Sequence, residues 1–207
     1  RPMGAPGEHA GAQGERVAQN MRAPAVLGPF EDGWNAFNNG DYATALRLWR
    51  PLAEQGNAGA RFSLGIMCAN GHGVPQDQAE AAKWFRLAAE QGNAPAQASL
   101  GVMCANGHGV PQDHAEAAKW FRLAAEQGFA GAQASLGVTY LEGLGLPHDD
   151  VQALMWFNLA ASRFPPGEDH DRAVQDRDTV AKRMTPSQIA EAAKLAREWS
   201  PRGEQAE

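Results

Sequence analysis

The chain repeats itself. Residues 57 to 92 read NAGARFSLGIMCANGHGVPQDQAEAAKWFRLAAEQG, and residues 93 to 128 read NAPAQASLGVMCANGHGVPQDHAEAAKWFRLAAEQG. These 36-residue units differ at five positions only: Gly59/Pro95, Arg61/Gln97, Phe62/Ala98, Ile66/Val102 and Gln78/His114. A looser third copy, FAGAQASLGVTYLEGLGLPHDDVQALMWFNLAA, follows from Phe129. A unit this small cannot bury its apolar face alone, so a tandem series has to stack, each copy covering its neighbour. The 207 residues are therefore predicted to form one elongated domain built by repetition.

Each unit encodes a helix pair. A first helix is predicted over about 58 to 70, and again over about 94 to 106, stopped by Asn-Gly-His-Gly because glycine readily takes the left-handed conformation of a helix end. Asp77 and Asp113 then stand as N-caps, with Glu80 and Glu116 three residues on in the arrangement of a capping box. Along the second helix Ala81, Trp84, Phe85, Ala88 and Ala89 fall at i, i+3, i+4, i+7 and i+8, which is one buried face. Ala153, Trp156, Phe157, Ala160 and Ala161 occupy the same places in the third copy. Trp84, Trp120 and Trp156 accordingly read as core. Gly65, Gly101 and Gly137 lie inside the first helix, where glycine costs about 1 kcal/mol relative to alanine, so close packing of the two helices is expected to compensate.

The flanks differ from the repeats. Residues 1 to 29 are rich in Gly, Ala and Pro with little apolar periodicity, and are expected to be a disordered tail. Residues 30 to 56 form a shortened first repeat, with Pro51 expected to kink or loosen its second helix. The repeats proper run 57 to 92, 93 to 128 and 129 to 163. Residues 164 to 207 then contain a polar helix from Glu168 to about Met184 and another from Pro186 to about Trp199, opened by Thr185. This pair is expected to cap the array, whose last unit would otherwise leave an apolar face in water.

The pattern A-x-x-x-LG-x-x-[YC]-x-x-G-x-G-V-P-x-D-x-x-x-A-x-x-W-x-x-x-AA-x-x-G resembles the Sel-one-like repeat, a relative of the tetratricopeptide repeat, over roughly residues 31 to 163. The resemblance implies an all-α fold: an α-solenoid of antiparallel helix hairpins, about five helix pairs including terminal caps, wound as a right-handed superhelix. It also implies that the first helices line a concave face that receives partners. One departure is that the usual tyrosine of the first helix is Cys68 and Cys104 here and survives only as Tyr140.

Where near-identical repeats disagree, function can be sought. Four of the five differences lie in the first helix, and positions 59, 62 and 66 share one side of it. Alignment of the Leu-Gly pair with the tetratricopeptide pattern puts that side on the concave surface. The candidate partner-binding residues are Phe62, Ile66 and Asn70, then Ala98, Val102 and Asn106, then Val138, Leu141 and Glu142. They predict a small apolar groove with a polar row, suited to a peptide or helix of another protein. Neutral drift after duplication is the competing explanation of the same differences.

Other chemistries find little support. A net charge of -6 and a pI near 5.5, without a basic stripe, argue against nucleic acid. No stretch approaches the run of about 20 apolar residues that crosses a bilayer, so a soluble chain without membrane insertion is expected. The first 29 residues hold no signal-peptide core, which leaves the compartment open between cytoplasm and an exported location. Cys68 and Cys104 are expected to be reduced and mostly buried. His72, His108, His114 and His148 accompany no HExxH or CxxC, and the third copy replaces the loop histidine by Leu144, so no metal and no cofactor is expected. Ser63, Ser99 and Ser135 lack a nucleophile elbow, and the acidic pairs Glu31-Asp32 and Asp149-Asp150 sit where helix starts favour carboxylates. The expected function is a non-catalytic protein-interaction scaffold. Two alternatives stand beside it: a secreted hydrolase or ligand-binding protein of the β-lactam-binding type, and structural self-assembly.

Overall fold

The computed structural model describes residues 28 to 202, so the tail expected at the N-terminus lies, up to Leu27, outside the described residues. Ten helices and no strand are found among them: α1 (Pro29–Asn38), α2 (Tyr42–Glu54), α3 (Ala58–Asn70), α4 (Gln78–Ala89), α5 (Ala94–Asn106), α6 (His114–Glu126), α7 (Ala130–Glu142), α8 (Asp150–Arg163), α9 (Glu168–Ala181) and α10 (Pro186–Glu198). They pack as consecutive pairs, α1/α2 through α7/α8, and each second helix also packs on the first helix of the next pair. The last two helices are placed differently: α9 and α10 each pack against α8.

Local chemistry sets the boundaries. Gly71, Gly107 and Gly143 end α3, α5 and α7 in the left-handed region, with φ of 71, 71 and 68°. Asp77, Asp113 and Asp149 cap α4, α6 and α8 by accepting from the backbone N–H groups of Glu80, Glu116 and Gln152. The expected capping boxes form only by half, because Glu80 bonds Lys83 at 3.1 Å and Glu116 bonds Trp120 and Lys119, all within a turn. A complete box occurs at Thr185 and Gln188 of α10. Pro51 does not end α2, which continues through it to Glu54; its ring points out to solvent.

The helical glycines are close-packing sites. A Cβ at Gly65 would lie 2.5 Å from the Phe85 ring, at Gly101 2.7 Å from Phe121, and at Gly137 2.7 Å from Phe157. In the shortened first pair Gly33 meets the Trp49 ring in the same way, and that indole donates to the Phe30 carbonyl at 3.0 Å. Trp49 and Trp156 are buried, and Trp84 and Trp120 pack against the core clusters but stay half-buried. Phe85 and Phe121 already fill the space beside the glycines, and the neighbouring tryptophans lean out over the edge of the core.

One repeat difference conserves a bond. Arg61, Gln97 and Gln133, at equivalent places in α3, α5 and α7, donate to the carbonyls of Ala53, Ala89 and Ala125 at 3.0, 3.0 and 3.2 Å. Each is a second donor to a carbonyl at the C-terminal end of the preceding helix, which already accepts from the backbone N–H of Gly56, Gly92 or Gly128. The chain after α10 also folds back on the array: Trp199 meets Trp156 edge-on at 6.1 Å, Arg163 sits 4.5 Å over Trp199, and the Arg202 N–H donates to the Glu126 carbonyl at 2.8 Å.

Candidate functional site

Three grooves open between successive first helices. The N-terminal one, about 500 Å³, lies between α1 and α3 and is lined by Phe30, Trp34 and Phe62. The middle one, about 250 Å³, lies between α5 and α7, with Val102 and Asn106 facing Val138 and Thr139 over Ala117 and Phe121 of α6. The third, about 630 Å³, lies between α7 and α9 and is lined by Phe129, Ala134 and Val138 on one side and Arg172 and Asp176 on the other. Ser135 and Val138 line both the middle and the third groove, so these two form one trough across α7.

The nine residues named from sequence do not fall into one site. Val102, Asn106 and Val138 come together in the trough, and Phe62 lies apart in the N-terminal groove against Phe85, ring centroids 5.7 Å away. Ile66, Ala98 and Leu141 are half-buried against the core, and Asn70 and Glu142 are exposed away from the three grooves. Sequence reasoning missed the α9 wall, because that helix carries no repeat signature. It also missed Phe129, although a signal was present. Asn57 and Asn93 cap α3 and α5 through their side chains, whereas Phe129 at the equivalent place of α7 makes no side-chain cap bond. The backbone there is unchanged, φ -71° and ψ 108° against -67° and 105° at Asn93, so a capping bond worth about 1 kcal/mol is forgone for a ring that stays 36% exposed at the groove.

Burial pushes the Cys68 and Cys104 thiols above the ordinary cysteine value, with nearby Glu80 and Asp77 adding to the effect at Cys68. Both are free thiols, Cys104 buried and Cys68 half-buried. His72 stacks on Tyr42 at 4.6 Å, and the His148 Nδ1 lies 2.7 Å from the Leu141 carbonyl. No group of three or more His, Cys, Asp or Glu placed to hold a metal occurs among the described residues.

The sequence pattern of the Sel1 repeat matches residues 30–57, 58–93, 94–129 and 130–163. The chain belongs to the Sel1 repeat family. A Sel1 repeat protein from Oxalobacter formigenes superposes with a TM-score of 0.70 and 28% identity over 83% of this chain and 68% of that one. A protective antigen of uropathogenic Escherichia coli with an SLR fold superposes with a TM-score of 0.57 and 29% identity over 83% of this chain and 44% of that one. An exopolysaccharide production negative regulator of Rhizobium leguminosarum bv. viciae is 41% identical over 51 residues, 25% of this chain and 19% of the regulator. The match thus spans a small part of that curated relative and less than half of the E. coli antigen. Sel1 repeats typically serve as protein-interaction scaffolds and are generally non-catalytic. No described helix of this Sel1 repeat chain is long and apolar enough to cross a membrane.

Proposed function

We propose that the chain is a non-catalytic scaffold that holds a segment of another polypeptide in the trough formed by α5, α7 and α9. The observation that carries the reading is the continuity of the two grooves across Val138, with Val102 44% and Val138 39% exposed on that surface. Exposed valines in line with Phe129 supply apolar contact for one face of a bound segment. The Asn106 amide, which makes no hydrogen bond within the described residues, is placed to bond that segment's backbone. Phe129 adds the second support, since a helix that gives up its cap keeps an exposed ring at the groove.

The test is a Val102→Glu/Val138→Glu double variant, with folding verified by circular dichroism and thermal unfolding. Proteins captured by the native chain are compared quantitatively with those captured by the variant. The expected result is loss of specific partners from the variant; equal capture by a folded variant would sink the trough as the binding site. The Rhizobium relative is a negative regulator of exopolysaccharide production, and a scaffold is the form in which repeats of this kind would enter such control.

A further inference from the structure

The N-terminal groove differs in chemistry from the trough. Three aromatic rings line it, Phe30 and Trp34 from α1 and Phe62 from α3; Glu31 and Asn35 complete the α1 side, the Glu31 carboxylate lying close to Gly28. None of its described lining residues is Lys, Arg or His. Aromatic faces carry negative potential, and a cation over such a face is attracted to it. A carboxylate and three rings in a chain of net charge -6 make the groove complementary to positive charge.

We propose that this groove is an aromatic cage for an alkylammonium head group presented by a partner polypeptide. The rings are held in place before any ligand arrives. Trp34 stacks on Phe37 at 6.0 Å with an interplanar angle of 14° and lies 6.1 Å from Trp49; Phe30 lies 6.1 Å from Trp49. Rings fixed in this way lose little freedom on binding. Trp34 remains 44% exposed, so it does not serve simply to plug the end of the array.

Two of the five repeat differences meet here. Phe62 is alanine in both later copies, Ala98 and Ala134, so the third ring exists only where α1 supplies the other two. Gly59 stands where the next copy has Pro95, and a Cβ at Gly59 would lie 3.0 Å from Phe30 Cζ, so the glycine lets that ring approach. The cage deepens the scaffold reading and rests on it only for the polypeptide nature of the partner.

The experiment titrates the full chain with choline and with its uncharged carbon isostere dimethylbutanol, following the Trp34 indole N–H by NMR. Choline should bind at least about ten-fold more tightly than the isostere. Its affinity should fall with added salt and drop about two- to five-fold in Glu31→Gln. Trp34→Leu, with folding verified by circular dichroism, should abolish it. Equal affinity for the two probes, or binding unaltered in both variants, overturns the cage. A second arm compares one short peptide carrying trimethyl-lysine, lysine or norleucine: preference for either cation over norleucine supports the proposal, and equal binding of norleucine overturns it. Val102→Glu/Val138→Glu should retain choline binding. Loss of the cage with partner capture intact therefore removes this inference and leaves the trough standing.

Discussion

At the scale of single residues, close approach and burial decide more than hydropathy. Gly137 faces Phe157, a ring with no solvent exposure, and an added Cβ would lie 2.7 Å from it. Alanine gains about 1 kcal/mol of helix propensity at such a site, while overpacking against a ring that cannot move costs about 1–3 kcal/mol. Gly137→Ala is therefore expected to lower stability by up to about 2 kcal/mol, read as a lower midpoint of urea unfolding; a raised midpoint would mean that α7 and α8 can separate freely. The thiols give a second prediction. Burial raises both cysteine pKa values, so the thiolate fraction at a given pH is smaller than in the unfolded chain, and reactivity should still be climbing above the ordinary value near 8.5. A disulfide reagent at pH 7 to 8 should label half-buried Cys68 before buried Cys104, both more slowly than in urea. Fast labelling of Cys104 at neutral pH would contradict that order.

At the scale of elements, each helix start is a place where stability and function can be traded. Asn57 and Asn93 cap α3 and α5, and Phe129 leaves α7 uncapped on the same backbone conformation. Phe129→Asn is expected to add about 0.5–2 kcal/mol of stability, seen as a higher unfolding temperature, while weakening partner capture. An unchanged partner profile in the stabilised variant would remove Phe129 from the site. The elements themselves were readable in advance, because the duplication, the glycine stops and the Asp caps all specify the same helix pairs. The Arg61, Gln97 and Gln133 bonds were not, since Arg and Gln share no obvious property until both are seen donating to the preceding helix end. The binding face was readable only in part. Comparison of copies singled out Val102 and Phe62, but α1 and α9, which complete the two sites, carry too little repeat signature for any copy-to-copy comparison to reach them.

At the scale of the whole molecule, the core divides rather than running as one body. Ala45, Trp49, Ala53, Ala60, Leu64 and Met67 form a buried cluster at the N-terminal end, separate from the larger cluster that extends from α4 to α10. α3 joins them: Ala60, Leu64 and Met67 belong to the first cluster, while Phe62, Ile66 and Ala69 pack against the second. In an array stabilised by nearest-neighbour contacts, damage at one end should stay near that end. Trp49→Ala removes a fully buried ring together with its bond to the Phe30 carbonyl, at a local cost of about 3–5 kcal/mol. Native-state hydrogen exchange should then show lost protection in α1 to α3 and unchanged protection in α6 to α8. Equal loss in both regions would mean that the array opens as a single cooperative unit. The confined result has a functional consequence as well: choline binding at the N-terminal groove should disappear in Trp49→Ala while partner capture at Val102 and Val138 persists, because two of the three rings, Phe30 and Trp34, rest on Trp49 of the first cluster, whereas the trough lies over the second.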